Sequence, residues 1–352
     1  MSNNSVFIPK INAMVIAEGV LWGCLSNANA LVRVSLENGL VDFVGQFPIE
    51  YKVDMFSDIV YNNGMLVFVP SSADSIVIYN ISDNIFKAIP LNISLVSADN
   101  RIYQENYKFI KAYSFHDKVF IIPCSFPSIL VLSMNDFSVR YLQAPVSEIE
   151  KNITEPNLYG YFNNTYIDNY IVYMGCNMSN FVLEFSLIDE KFNIVHHKVD
   201  AAGIWAVYPL KDGYLISSIN SEFFLRNNDV CQKIDDLSGM IISDYFETLE
   251  YLYLIANNRL RTSVIIKICK NDASFSIIEF DGSIKKVYRS TKYNIALSNT
   301  GALICIESDG QLKSLPLLPS DTLKSAISFC PYIIDEQTVS LNTFLKEIVK
   351  YE

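Results

Sequence analysis

Residues 57–91 read SDIVYNNGMLVFVPSSADSIVIYNISDNIFKAIPL. Within this stretch SDIVYNN (57–63), GMLVFVP (64–70), SIVIYNI (75–81) and FKAIPL (86–91) are four short runs of β-branched and aromatic residues, separated by Asn, Gly, Ser and Asp. Runs of that length, bounded by turn formers, predict four consecutive antiparallel strands. The same order recurs as KFIKAYSFHD, KVFIIPC, SILVLSM and VRYLQ from Lys108, and as LYGYFNNTYID, YIVYMGC, FVLEFSL and FNIVHHKV from Leu158. Helical periodicity is almost absent.

Two columns of residues fix the repeat. The second run of each unit closes on a small residue: Cys24, Ser71, Cys124, Cys176, Ser218, Ala256 and Ser298, at successive steps of 47, 53, 52, 42, 38 and 42. The three cysteines follow Gly23, Pro123 and Gly175. Ten to fifteen residues later each unit places an Asn or Asp between its third and fourth runs: Asn38, Asp83, Asp136, Asp189, Asn228, Asn271 and Asp309. Those types suit a tight hairpin, which needs positive φ or a side chain that bonds its own backbone. Four strands per unit at a spacing of about 40 to 50 residues is the pattern of a propeller blade. Blades pack face to face and converge on an axis, so the inner strands have room only for small residues. The sequence therefore predicts an all-β fold, a seven-bladed β-propeller of four-stranded antiparallel blades over residues 1–335. Six blades is the alternative, because the last two units carry the weakest signals.

Beyond about residue 320 the pattern changes. Leu341, Phe344, Leu345, Ile348 and Val349 share one helical face, with Ser340 placed to cap its start. A short C-terminal amphipathic helix over 336–352, packed on the propeller, is predicted. Ser325–Ile334, or alternatively Val6–Ile8, is the segment expected to add a strand to the first blade. With blades of the form IVYNNGMLVFVPSSADSIVIYNISDNIFKAIP (59–90), the chain resembles the kelch-like propellers, and more closely the propellers of uncharacterised bacterial proteins, over about residues 10–320. It differs from kelch repeats proper in having no Gly-Gly pair after the second strand and no regularly placed Trp. It has neither the Trp-Asp dipeptide of WD repeats nor the Ser-x-Asp-x-Gly-x-Thr-Trp box of sialidase-like propellers. The resemblance implies architecture and brings no functional residue with it.

Half of the 352 residues are hydrophobic and 18% are charged, below the roughly 25% of an average soluble domain. The longest wholly apolar stretches, such as Met65–Val69, run about five residues, far short of the roughly 20 that a spanning helix needs. No membrane partner is expected. Against 38 Asp and Glu stand 27 Lys and Arg, a net charge of −11, whose field repels phosphate backbones. No nucleic-acid partner is expected either. The first residues lack a basic segment followed by an apolar run, so the cytoplasm is the expected location. Seven cysteines, no two closer than 25 residues, form no CxxC motif and read as reduced, mostly buried thiols.

A nucleophilic triad needs a histidine, and the chain has three. His116 falls in a turn between a first and a second strand, and His196 and His197 fall on a fourth strand at the outer edge of a blade, all positions that read as solvated. None of HExxH, GxSxG, GxxxxGKS/T or GxGxxG occurs, so no catalytic residue, metal site or cofactor is predicted. Glu148, Glu150 and Glu155 are the densest acidic group and read as a solvated loop.

The longest connections, LNISLVSADNRIYQEN (91–106) and PVSEIEKNITEPN (145–157), each run from the fourth strand of one blade to the first of the next. In a four-stranded antiparallel blade such connections lie on the same side as the turns between second and third strands, so the binding face is predicted there. First strands begin with aromatics in most units: Phe56, Phe109, Tyr161, Trp205 and Tyr245. Trp205, Tyr107, Tyr159 and Tyr161 are the residues expected to stack on a ligand. Arg259 and Arg261, in a second-to-third turn, are expected to meet a carboxylate or phosphate. Two function classes follow. The favoured one is a non-catalytic binding propeller, a monomer that recognises a protein, peptide or glycan on the face bearing the long loops. The other is a propeller-type glycoside hydrolase or lyase, whose carboxylates converge on the central channel from different blades and need no sequence spacing.

Overall fold

A computed structural model of the chain describes residues 7, 9–98, 100–153, 160–227, 230–258, 263–279, 284–289, 294–298, 303–306 and 312–328. Seven sheets account for the strands. β1–β4 lie within Ile11–Gly45, β5–β8 within Phe56–Pro90, β9–β12 within Phe109–Leu142, β13–β16 within Thr165–His196, β17–β20 within Ile204–Lys233, β21–β24 within Ile241–Glu279 and β25–β28 within Ile284–Leu315. Each set of four is hydrogen-bonded in chain order. The fold is a seven-bladed β-propeller. Two compact units share the chain, one holding the strands within Met1–Leu91 together with the C-terminal strands, the other lying within Asn92–Arg289. Among the described residues no helix is long and apolar enough to cross a membrane.

The quoted stretch forms strands at Phe56–Asn62, Met65–Pro70, Ser75–Asn80 and Ile85–Pro90. Asn63 and Gly64 turn the first hairpin with φ of 45° and 79°, the pair of positive values a two-residue hairpin requires. At the third-to-fourth hairpins the acidic or amide side chain bonds its own backbone. Asn38 accepts from the Leu40 N–H at 3.0 Å, and Asp136 accepts from the Ser138 N–H at 3.0 Å. In the sixth blade Asp272, one residue beyond the expected Asn271, does the same with the Ser274 N–H at 2.9 Å. Asn228 and Asp309 lie outside the described residues.

The small column falls within one residue of the end of the second strand in every blade, and all seven of its members are buried. Hydrogen bonds show why. The Cys124 carbonyl accepts the Tyr161 N–H at 2.6 Å, and the Cys176 carbonyl accepts the Ile204 N–H at 2.8 Å. The column therefore marks where the chain enters the next blade. A Cβ at Gly175 would come within 2.5 Å of Ile204, so in that blade the residue beside the column is held small as well. One feature of the repeat had no sequence signal: the pairing of first and second strands shifts register at Asn12, Ser57, Trp205 and Ser243, each an extra residue in the first strand of its blade. Such bulges turn a side chain out of the sheet's alternation.

Two helices depart from the sequence expectation. Segment 144–150, read as loop, forms α1 (Ala144–Glu150), which buries Pro145, Val146 and Ile149. Those residues stand one turn apart, and the proline sits in the first turn where its missing N–H costs nothing. Among the described residues, the strand added to the first blade comes from a different segment. It is β29 (Leu318–Pro319), which runs parallel to β4 (Leu40–Gly45) with Leu318 opposite Leu40. Ser325 instead lies in α2 (Asp321–Ser328), because the Ser320 hydroxyl caps that helix by accepting the Leu323 N–H at 3.2 Å and Leu323 and Ile327 are buried one turn apart. Val6, Ile8, the remainder of Ser325–Ile334 and the helix expected over 336–352 lie outside the described residues.

Candidate functional site

Within the second unit the two long connections enclose a cleft of about 400 Å³. The first wall is the 91–106 connection. Its start is pinned where the Asn92 N–H donates to the Tyr141 hydroxyl at 2.9 Å. Its end is shaped by the Asn100 side-chain oxygen, which accepts from the N–H groups of Ile102 and Tyr103 at 2.9 and 3.1 Å. Arg101 and Ile102 of that turn, and Leu95 from the 3-10 turn Ile93–Leu95, line the cleft. The second wall is α1, whose buried face leaves Ser147 and Glu150 on the cleft, with Ile153 just beyond. Pro127, from the turn between the second and third strands of the third blade, lines it too, as do Ser97, Asn100 and Gln143. Loops of both expected kinds thus meet on one side.

Tyr161 ties the two walls from beneath. It is fully buried at 0% exposure. Its hydroxyl donates to the Glu150 carboxylate and accepts from the Asn100 side-chain N–H at 3.3 Å. Burial, with the neighbouring Glu150 charge, holds the phenol well above the ordinary tyrosine range, so the proton stays on Tyr161. Glu148 closes on Lys151 at 2.6 Å. Glu150 has no second partner for its carboxylate, and Arg101 has no partner for its guanidinium, among the described residues.

Of the residues predicted to bind, Tyr161 is under the cleft instead of facing it. Tyr107 is 60% exposed and outside the lining. Trp205 is the bulged residue of the fifth blade, and its indole N–H donates to the Ile242 carbonyl of the sixth blade at 3.0 Å. Asn12 repeats that contact in the other unit, donating to the Phe56 carbonyl at 2.7 Å. Both carbonyls belong to the residue just before a bulge. Trp205 therefore clasps one blade to the next. Tyr159, Arg259, Arg261 and Glu155 lie outside the described residues. Sequence reasoning missed Asn100, Arg101 and the helical placement of Glu150; the three-and-four spacing of Pro145, Val146 and Ile149 was the available signal.

The first strands of blades three to six meet in a tyrosine cluster. Tyr113 and Thr165 share a hydroxyl bond of 2.6 Å, while Tyr166 and Lys270 both donate to one Glu247 oxygen at 2.6 Å. Lys111 lies 3.7 Å from Asp244 and 5.3 Å from the Tyr245 ring centroid. Both carboxylates are thereby engaged in holding strands together. Burial pushes the Cys124 thiol up to about 12, which leaves it unreactive. One expectation fails outright: His197 is buried at 0% exposure, not solvated. β16 (Phe192–His196) ends just before it, and its N–H turns in to the Asn180 carbonyl at 2.8 Å. Its Nδ1 accepts from Arg226 at 2.7 Å, and burial with the Arg226 charge holds it down at about 4. Among the described residues no group of three or more His, Cys, Asp or Glu side chains is placed to hold a metal ion.

No protein-family model and no curated protein sequence matches the chain. Solved structures do. YCF48 from Cyanidioschyzon merolae aligns with a TM-score of 0.59 at 9% identity, over 86% of this chain and 97% of that one. The RRP9 WD40 repeats align with a TM-score of 0.54 at 8% identity, over 82% and 87%. PorZ of Porphyromonas gingivalis, described as an essential bacterial surface component of the type-IX secretion system, aligns at 0.54 and 11% identity over 88% of this chain. The chain spans only 39% of PorZ. At such identities the likeness is one of fold.

Proposed function

We propose that this chain is a non-catalytic interaction scaffold that docks a protein partner on the face carrying the two long connections, centred on their shared cleft. The observation that carries this is the single buried hydroxyl of Tyr161, which fixes both walls at once through Glu150 and Asn100. A cleft built by two insertions and held by a dedicated tie is a preorganised surface. Asp244 and Glu247, the carboxylates of the inner-strand cluster, are occupied by Lys111 and Lys270, which favours binding over hydrolysis. A protein or peptide is favoured over a glycan because Tyr161 and Trp205, the rings that would stack on a sugar, are engaged in the walls and between blades. Kelch-like repeat ancestry, a monomeric state and residence in a reducing cytoplasm belong to the same proposal. The last is supported by the free thiols of Cys24, Cys124 and Cys176, all buried.

The test is comparative capture with the full chain. Ser147→Trp fills the cleft from an exposed position, while Leu249→Ser alters a 98% exposed hairpin residue. A partner retained by Leu249→Ser and lost with Ser147→Trp supports the assignment. A partner set indifferent to Ser147→Trp overturns it.

A further inference from the structure

The chemistry of the cleft narrows its occupant, given the scaffold function just proposed. It carries one charge of each sign. Elsewhere ion pairs close readily: Arg140 grips both Glu190 oxygens at 2.7 and 2.8 Å, and Lys151 holds Glu148 at 2.6 Å beside the cleft itself. Arg101 and Glu150 line the same cleft, yet neither forms an ion pair among the described residues. Glu150 is not spare length swinging in solvent. One carboxylate oxygen accepts from the buried Tyr161 hydroxyl, and its helix is anchored by Pro145, Val146 and Ile149. The second oxygen is left for another donor. The Asn100 turn fixes the backbone on the C-terminal side of Arg101. Leu95, Ile102 and Ile153 give the same lining an aliphatic part, beside the polar Ser97, Gln143 and Ser147.

We propose that the cleft takes a peptide segment of the partner that offers a Lys or Arg side chain to Glu150, a carboxylate to Arg101, and an aliphatic side chain to Leu95, Ile102 and Ile153. A planar guanidinium presents parallel donors matched to a carboxylate, and a carboxylate with one oxygen already bonded presents a directed acceptor for a cation. Opposite charges in one cleft that do not pair with each other favour a ligand that meets both and disfavour one with either charge reversed.

The experiment is selection of a displayed random octapeptide library on the purified full chain, with Glu150→Gln, Arg101→Gln and Ser147→Trp run in parallel and folding checked by thermal melting. Enrichment of peptides carrying one basic, one acidic and one aliphatic residue is expected. Glu150→Gln should erase only the basic preference and Arg101→Gln only the acidic one, each weakening a selected peptide about threefold or more. If selection yields binders that Ser147→Trp blocks but that carry no paired charges, this inference is overturned while the scaffold function stands. If nothing is enriched, or enrichment ignores Ser147→Trp, both fall.

Discussion

The buried hydroxyl of Tyr161 donates to the carboxylate of Glu150, which stands exposed on the neighbouring helix. Because the same hydroxyl accepts from Asn100, one oxygen atom couples the two connections that wall the cleft. Tyr161→Phe keeps the ring and deletes that coupling. Its cost is expected to be about 1 kcal/mol, since Glu150 can turn to water but Asn100 loses a buried acceptor. A lower urea midpoint, with faster amide exchange in 93–103 and 144–150, checks this. Unchanged exchange in both segments would mean that the hydroxyl holds nothing.

Gly160 precedes that tyrosine with φ of 78°, and a Cβ there would stand 2.7 Å from the Cys124 carbonyl. The same carbonyl accepts the Tyr161 N–H. Gly160→Ala therefore meets a left-handed backbone and a backbone clash together, at a cost of about 2 kcal/mol or more. Gly64 has a similar φ of 79° but nothing within 4 Å of its would-be Cβ, so Gly64→Ala should cost only about 1 kcal/mol. Equal losses in the two variants would contradict the packing argument.

Trp205 and Asn12 occupy equivalent bulges and make equivalent bonds to the following blade. Trp205→Phe and Asn12→Ala each leave a carbonyl unbonded, at about 1 kcal/mol apiece. Binding at the cleft should survive Trp205→Phe unchanged. A variant that melts normally and loses its partner would return Trp205 to the ligand.

The architecture was legible because it is written in local chemistry. The Asn63-Gly64 turn, the side-chain-bonded hairpins at Asn38 and Asp136, and the small residues at the end of each second strand all follow from backbone sterics acting within about fifty residues. The cleft residues were not legible. Tyr161 reads as the first residue of a strand, but Gly160 and the Cys124 carbonyl hold it ahead of β13 (Thr165–Asp168), beside a helix whose one signal is the spacing of Pro145, Val146 and Ile149. Trp205 looked like a ligand platform because a bulge cannot be seen in a period-two pattern. His197 reads as the next residue of an edge strand, and only its turn inward to Arg226 buries it.

Tyr208 sets a test of the inner-strand cluster. Its hydroxyl is fully buried and has no hydrogen-bond partner among the described residues, whereas Tyr166 nearby donates to Glu247 at 2.6 Å. An unsatisfied hydroxyl carries its desolvation cost with no return. Tyr208→Phe should therefore be neutral or stabilising by up to about 1 kcal/mol, and Tyr166→Phe should be destabilising by about 1 kcal/mol. Thermal melts of the two variants side by side decide it. Loss of stability in Tyr208→Phe would show that the hydroxyl has a partner.

His197 gives the chain a defined acid limit. Arg226 donates to Nδ1 at 2.7 Å, so the buried ring is neutral with its proton on Nε2. Burial, then the charges of Arg226 and His196, lower its pKa to about 4 from an ordinary 6.5. Above pH 6.5 both folded and unfolded chains carry the neutral ring, and His197 adds no pH dependence. As pH falls from about 6.5 to about 4 the unfolded chain binds a proton that the folded one refuses, and stability is lost. Below about 4 both forms are protonated and the slope ends. The loss is of order 2 kcal/mol after allowance for partial screening of the site. Stability measured in urea from pH 7 to pH 4 should fall less steeply in His197→Gln, which keeps an acceptor for Arg226 without a titrating ring. Parallel curves for the two proteins would place the acid sensitivity elsewhere, on groups whose charge the fold does not oppose.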